Sequence, residues 1–491
     1  MKRIPLKRDL CVTPTNGGEL YLDNYPFRVK FKPPLLRVVI DYTPMHVPRD
    51  LQPMQPEQLS SNNKEKFGWC LYDWANSAFA TTILAAILPV YFAEHIVPKQ
   101  GVDLAFMGFK GCLSATSLWG YASGLTSLLI LFSAPVLGGI ADQGRKKKSL
   151  LMIFCYLGSL FTVLLFFSGP GDVFYILILF CLAQYFFVGG NVFYDAFLPL
   201  IAKGKDMDRL SGQGYALGYL GGGLLLALSV LFIQFSHTMG VNKETAVRLT
   251  LASAGLWWAL FGTLSFLLFQ EEKAPYEAQK SIRQAALEGL RKTWETTRAI
   301  TRHRQVLIFL VAYMLYNDGV QTVIRMASIY GKDELNLSTG TLLGTLLMVQ
   351  FIGIGGTILM SWVARPFGTK RTIMGLLVVW FALTIFAYQM NTSLEFWILG
   401  VVVGLILGGT QALSRSFYGR LIPEGQSAQF FGYFSVFSKL SAIWGPILFA
   451  FIRQATGTSR FSILAVSVFF VVGWAILFFV EEYKKDLVGL N

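Results

Sequence analysis

Residues 150–167 read Leu-Leu-Met-Ile-Phe-Cys-Tyr-Leu-Gly-Ser-Leu-Phe-Thr-Val-Leu-Leu-Phe-Phe, eighteen residues without one Asp, Glu, Lys or Arg. Wound as an α-helix, the stretch is about 27 Å long, and crossing a bilayer core takes roughly twenty mainly apolar residues. Val173 to Ala183 and Leu249 to Phe269 are equally free of charge, and similar stretches recur from Trp69 to Val480 between short polar turns. Across 491 residues, 54% are hydrophobic and only 14% charged, with a mean hydropathy of +0.50. A soluble core could not use so many apolar runs of that length, so the expected fold is all-α, a polytopic membrane protein.

The net charge of +13 would suggest nucleic acid in a soluble domain. Here Lys and Arg fall mostly in alternate loops, which is a topology signal, and no nucleic-acid partner is expected. The five cysteines (Cys11, Cys70, Cys112, Cys155, Cys181) form no CxxC pair. Neither a disulfide framework nor a zinc site is indicated. His95, His237 and His303 stand alone and no P-loop occurs, so neither a metal, a cofactor nor ATP is expected. The basic start, Met1 to Arg8, has no apolar core behind it, which argues against a cleavable signal. Met54 stands as an alternative start, and the mass of the native amino terminus decides between the two.

Residues 1–66 are proline-rich and read as a largely disordered extension, with Leu35 to Tyr42 as an isolated strand candidate. Twelve helices are expected next. The first six, at 68–93, 118–141, 149–168, 173–201, 211–235 and 249–269, form an N-terminal bundle over 67–269. The other six, at 305–330, 339–363, 371–389, 394–416, 428–452 and 458–480, form a C-terminal bundle over 305–482. A basic loop, 270–304, joins them and is expected to be cytoplasmic and partly helical; 483–491 is a tail. Arg145 to Lys148, Lys203, Lys205, Arg209, Arg365, Lys370, Arg371, Arg415, Arg420, Lys484 and Lys485 all lie on the side of that loop. The positive-inside rule then makes both termini cytoplasmic.

The chain also repeats itself. Leu71-Tyr72-Asp73 with Asn76 in the first helix answers Leu315-Tyr316-Asn317-Asp318 with Gln321 in the seventh. Gly189-Gly190 before Leu198-Pro199 answers Gly408-Gly409 before Ile422-Pro423. Two pseudo-symmetric six-helix bundles follow, and a transporter so built holds its substrate near the midplane between them.

Two motifs carry a resemblance. Gly138-Gly139-Ile140-Ala141-Asp142-Gln143-Gly144-Arg145-Lys146-Lys147 resembles the Gly-x-x-x-Asp-Arg-x-Gly-Arg-Arg signature of the major facilitator superfamily, matching at Gly138 and Asp142 and departing at Gln143 and Gly144. Trp69 to Thr82, Tyr316 to Thr322 and Gln411 to Ser416 are similar to the vacuole-effluxer family, whose fungal member is the autophagy-related vacuolar amino-acid permease. The resemblance covers nearly all of 67–482. It implies the major facilitator fold and solute export, of amino acids in the fungal case. The chain lacks the longer loops of the fungal members, which favours a prokaryotic plasma membrane over a vacuolar one.

An ionisable group at mid-membrane costs several kcal/mol on insertion scales, so each invites a functional explanation or a structural ion pair. Asp73, Asp318 and Lys439 are such groups. The expected substrate and coupling set is Asp73, Asn76, Asn317, Asp318, Gln321 and Lys439, with Lys439 as counter-charge to one of the carboxylates. Gly138, Asp142, Asp195 and Arg415 are the gating candidates, Asp142 as a latch that pairs with a base or caps a helix in one state. Asp195 and Arg415 also fit plain snorkelling at helix ends, and Arg325 is read that way. The leading reading is a monomeric secondary transporter that acts on a small molecule in a lipid bilayer, driven by protons or by the substrate gradient. A receptor or scaffold on the same fold is the alternative, and an enzyme is a distant third because no pair reads as nucleophile and base.

Overall fold

The structure, a computed structural model, describes residues 12–14, 19–22, 28–30, 39–41, 56–98, 100–106, 109–113, 115–144, 147–268, 291, 303–423 and 425–481. The central loop 270–304, but for residues 291, 303 and 304, and the tail 483–491 lie outside the described residues. Among the described residues, twelve helices are long and apolar enough to cross a membrane. In chain order they are α1 Asn63–Ile96, α2 Leu118–Asp142, α3 Lys147–Phe167, α4 Val173–Ile201, α5 Lys205–Gln234 and α6 Lys243–Leu268. The second set is α7 Arg304–Ala327, α8 Gly340–Phe367, α9 Thr369–Gln389, α10 Ser393–Leu421, α11 Ser427–Thr456 and α12 Ser459–Phe478.

Strands precede α1 in the chain and also occur between α1 and α2. β1 Val12–Pro14, β2 Glu19–Leu22, β3 Arg28–Lys30 and β4 Val39–Asp41 form an antiparallel sheet in that order. Within the strand candidate Leu35 to Tyr42, Val39–Asp41 pairs with β3. Between α1 and α2, β5 Val102–Phe106 and β6 Phe109–Leu113 make a hairpin.

Local signals set the helix ends. Ser338 caps α8 by accepting the Thr341 N–H, and Thr392 with Glu395 forms a capping box at α10. Gly368, at φ +84°, makes the tight turn from α8 into α9. Large apolar side chains such as Phe132, Leu267 and Trp362 point outward. In a soluble protein they would be a liability, but here the solvent they meet is hydrocarbon.

Among the described spans four depart from a continuous α-helix: α3 ends in a 3-10 turn over Leu165–Phe167, α12 is interrupted at Val466, and α1 and α11 depart further. α1 is π-helical over Phe79–Ala86 and Phe92–Ile96. α11 runs as a helix over Ser427–Leu440, breaks, and resumes over Trp444–Thr456. Breaks free backbone groups, and inside a membrane body these need partners from the protein.

An even number of spans places the start of α1 and the end of α12 on one side, here termed the terminal face. The six-helix sets touch mainly through α2 against α11 and α5 against α8 and α10. Among the described residues, every hydrogen bond joining the sets lies at the midplane or on the terminal-face side of it.

Candidate functional site

Arg415, near the terminal-face end of α10, is 3% exposed. Its Nη1 donates to Asp195 Oδ1 of α4 at 3.2 Å, and both Nη atoms approach Asp73 Oδ2 of α1 at 3.4 Å. Nε donates to the Ser211 hydroxyl and Nη2 to the Ser211 carbonyl, each at 3.0 Å. The guanidinium also lies over the rings of Trp69 and Tyr215, at 4.7 and 4.3 Å from their centroids. Tyr194 Oη donates to Asp73 Oδ2 at 3.0 Å, and Trp69 stacks on Tyr194. A planar five-donor fork suits this crowded, desolvated place, whereas a Lys could not serve so many acceptors.

The partners of Asp73 correct one expectation. Its counter-charge is Arg415, not Lys439. Two carboxylates of the first six-helix set face one guanidinium of the second, so with all three ionised the cluster carries one surplus negative charge.

Asp318 and Lys439 meet at the break in α11 without pairing. Asp318, 1% exposed, accepts the Trp444 N–H at 3.2 Å and the Gly445 N–H at 2.9 Å, and so caps the outer half of α11. Lys439 sits in the last turn of the inner half, where the helix dipole presents its negative end. No carboxylate lies within ion-pair distance of Lys439 among the described residues. Anion and cation each answer a helix terminus that the break creates. Arg325, read from sequence as snorkelling, donates to the freed carbonyl of Ala442 at 3.3 Å. Asn317 donates to the Ser441 hydroxyl in the break itself. Asn76 donates to Asn191 Oδ1 at 2.8 Å, within the first set. Gln321 is half-buried, and its amide makes no hydrogen bond among the described residues.

At the terminal face, Asp142 does two things at once. It accepts the backbone N–H groups of Ala428 and Gln429 at 3.2 and 2.8 Å, at the start of α11, and its Oδ1 pairs with Lys147 Nζ at 3.0 Å. Gly138, one helical turn earlier, lets α2 and α11 touch: a Cβ there would lie 2.1 Å from the Ala428 carbonyl oxygen. Gly432 repeats the contact from the other side, with a Cβ 2.7 Å from Pro135 Cα.

Sequence reasoning missed a third cross-link. Asp208, 2% exposed at the start of α5, pairs with Arg420 of α10 at 3.0 Å and accepts the Thr369 hydroxyl at 2.6 Å and the Ser416 hydroxyl. Ser211, Tyr194 and Asn191 were missed as well; single polar residues on apolar helices carry no sequence signal of their partners.

Comparison with known proteins fits this geometry. The family described as vacuole effluxer Atg22 like matches residues 61–487. The MFS-type transporter YxiO of Bacillus subtilis is 31% identical over 427 residues, 86% of this chain and 96% of that one. Autophagy-related protein 22 of Pichia angusta is 24% identical over 524 residues, 84% of this chain and 93% of that one. Among solved structures, the MFS transporter FucP in its outward conformation superposes with a TM-score of 0.62 at 12% identity, covering 86% of this chain and all of that one. A bacterial homologue of ferroportin, outward-facing, gives 0.59 at 11% identity over 85% of this chain and 98% of that one. The architecture is the major facilitator fold, and the chain belongs to the vacuole effluxer Atg22-like family of membrane transporters.

Proposed function

We propose that the protein is a secondary transporter that exports small zwitterionic solutes, amino acids foremost, by alternating access, with the terminal face in the cytoplasm. The observation that carries this is Arg415 buried between Asp73 and Asp195 across the seam of the two sets. Those bonds exist only while the terminal face is closed. Parting them strands buried charges, which costs several kcal/mol unless something replaces the lost partner.

A proton on a carboxylate, or the ammonium group of a solute beside Asp73 and Asp195, does that. Ligand binding and opening are thereby tied together, which is what a carrier needs. Lys439 and the free amide of Gln321 suit the carboxylate end of the same solute. With the terminal face cytoplasmic by the positive-inside rule, the state described here is outward-facing. The surplus carboxylate of the Arg415 cluster makes Asp73 and Asp195, rather than Asp318, the pair through which protons couple. Two proteins of this fold are known as proton symporters, for xylose and for fucose. The membrane is the plasma membrane of a prokaryote, in keeping with the Bacillus relative, and the transporter is a monomer.

Counterflow in proteoliposomes tests the reading. Vesicles loaded with an unlabelled amino-acid mixture should transiently concentrate labelled amino acid, faster or slower according to an imposed pH gradient. Absence of counterflow for amino acids, peptides and sugars alike, with folded protein, would leave the receptor or scaffold reading.

A further inference from the structure

At the terminal face a groove opens sideways between the two six-helix sets. Two adjoining cavities of about 530 and 320 Å³ share Arg209, Gln213 and Ile358. The first is walled by α1 and α5, and both reach α8. Cys70 meets the Leu210 carbonyl and Gly212 lies against Ser361, each within about one helical turn of a base, so Lys66, Arg209 and Arg365 stand near one depth, that of lipid headgroups. None of the three has an ion-pair partner among the described residues. Among the described residues Asp206 is the one carboxylate in the walls, which leaves three positive charges less one negative, net +2.

Below the bases the walls turn apolar, with Leu217, Leu220, Ile354 and Ile358. From Arg209 to Leu220 is eleven residues, about 16 Å along the helix, close to one leaflet of a roughly 30 Å hydrocarbon core. Phe67 and Trp362, both exposed, flank the mouth as interfacial anchors. Basic rim, aromatic shoulder and apolar floor of leaflet depth match one occupant.

We infer that this groove binds an anionic phospholipid of the leaflet at the terminal face, its phosphate among Lys66, Arg209 and Arg365 and an acyl chain along α5 and α8. Because α1 and α5 belong to one set and α8 to the other, the bound lipid bridges the seam and stabilises the state closed at this face. Other bases of this face, such as Lys203, Lys205 and Arg371, lie outside the groove; what sets Lys66, Arg209 and Arg365 apart is that they share one cleft with an apolar floor.

Native mass spectrometry of the full-length protein, titrated with phosphatidylglycerol or phosphatidylcholine, reads the preference. Attraction on the order of tenfold or more for the anionic lipid follows from the net charge. The triple variant Lys66→Gln/Arg209→Gln/Arg365→Gln should abolish the preference, while Lys203→Gln/Lys205→Gln/Arg371→Gln, on the same face but outside the groove, should keep it. Equal loss in both variants, or no loss in the first, overturns the inference. Inorganic phosphate protecting the protein in phosphatidylcholine as well as phosphatidylglycerol does also overturns it. A photo-crosslinking residue at Gln213 should yield a phosphatidylglycerol adduct; an adduct with another segment of this chain or with a second protein contradicts the assignment.

Discussion

Two charged regions of the membrane body solve the same problem in opposite ways. Around Arg415, charges from α1, α4 and α10 neutralise one another across the seam. At the break in α11, Asp318 and Lys439 neutralise helix ends within one set, and each would keep its partner if the two sets moved apart. The first arrangement has to come apart in any rocking motion, and the second can ride through it unchanged. On the proposed mechanism, that difference separates a conformational lock from a built-in part of the second bundle.

Substitutions at five positions break or sharpen that contrast. Arg415→Gln should have the largest effect, since it leaves Asp73 and Asp195 buried without a counter-charge: about 3–5 kcal/mol of stability on a thermal-unfolding scale, and loss of counterflow. Adding Asp73→Asn should return part of the stability, and strict additivity of the two would show that the charges do not interact. Asp318→Ala removes the cap from the outer half of α11 and should cost about 1–2 kcal/mol, less for Asp318→Asn, whose amide oxygen can still accept one N–H. This cost should be the same whichever face is open. Gly138→Val forces a side chain against the Ala428 carbonyl, so α2 and α11 must separate. Cysteines placed near the terminal face should then label several-fold faster with a membrane-impermeant maleimide. Lys439→Met should be mildest for stability, under about 1 kcal/mol, yet it should slow counterflow of amino acids more than that of an uncharged analogue.

Much of the fold was legible in the amino-acid sequence, because each span is a long apolar run whose ends shift by only a few residues. Those few residues decided what could be read of the site. The expected end of α10 at 416 placed Arg415 at the membrane surface; the helix continues to Leu421, and the same residue becomes an interior charge. The expected start of α5 at 211 left Asp208 in a loop, whereas the helix begins at Lys205. Pairing was beyond reach for a different reason. Asp73 and Arg415 are 342 positions apart, and no periodicity links a carboxylate on one helix to a base on another. Lys439 looked like a counter-charge because it was counted along an unbroken helix. The break that gives it a helix terminus to neutralise is signalled only by Ser441 and Pro446, residues that many continuous spans tolerate.

The distance across the terminal face tests alternating access most directly. Spin labels at Lys203 in the first set and Gly425 in the second, both exposed, should give one short distance in the resting wild-type protein. A second, longer distance should grow in when a transported amino acid is added, and should dominate in Arg415→Gln. A single short distance under all three conditions would show that the two sets do not part, and the seam around Arg415 would then be a structural joint rather than a gate.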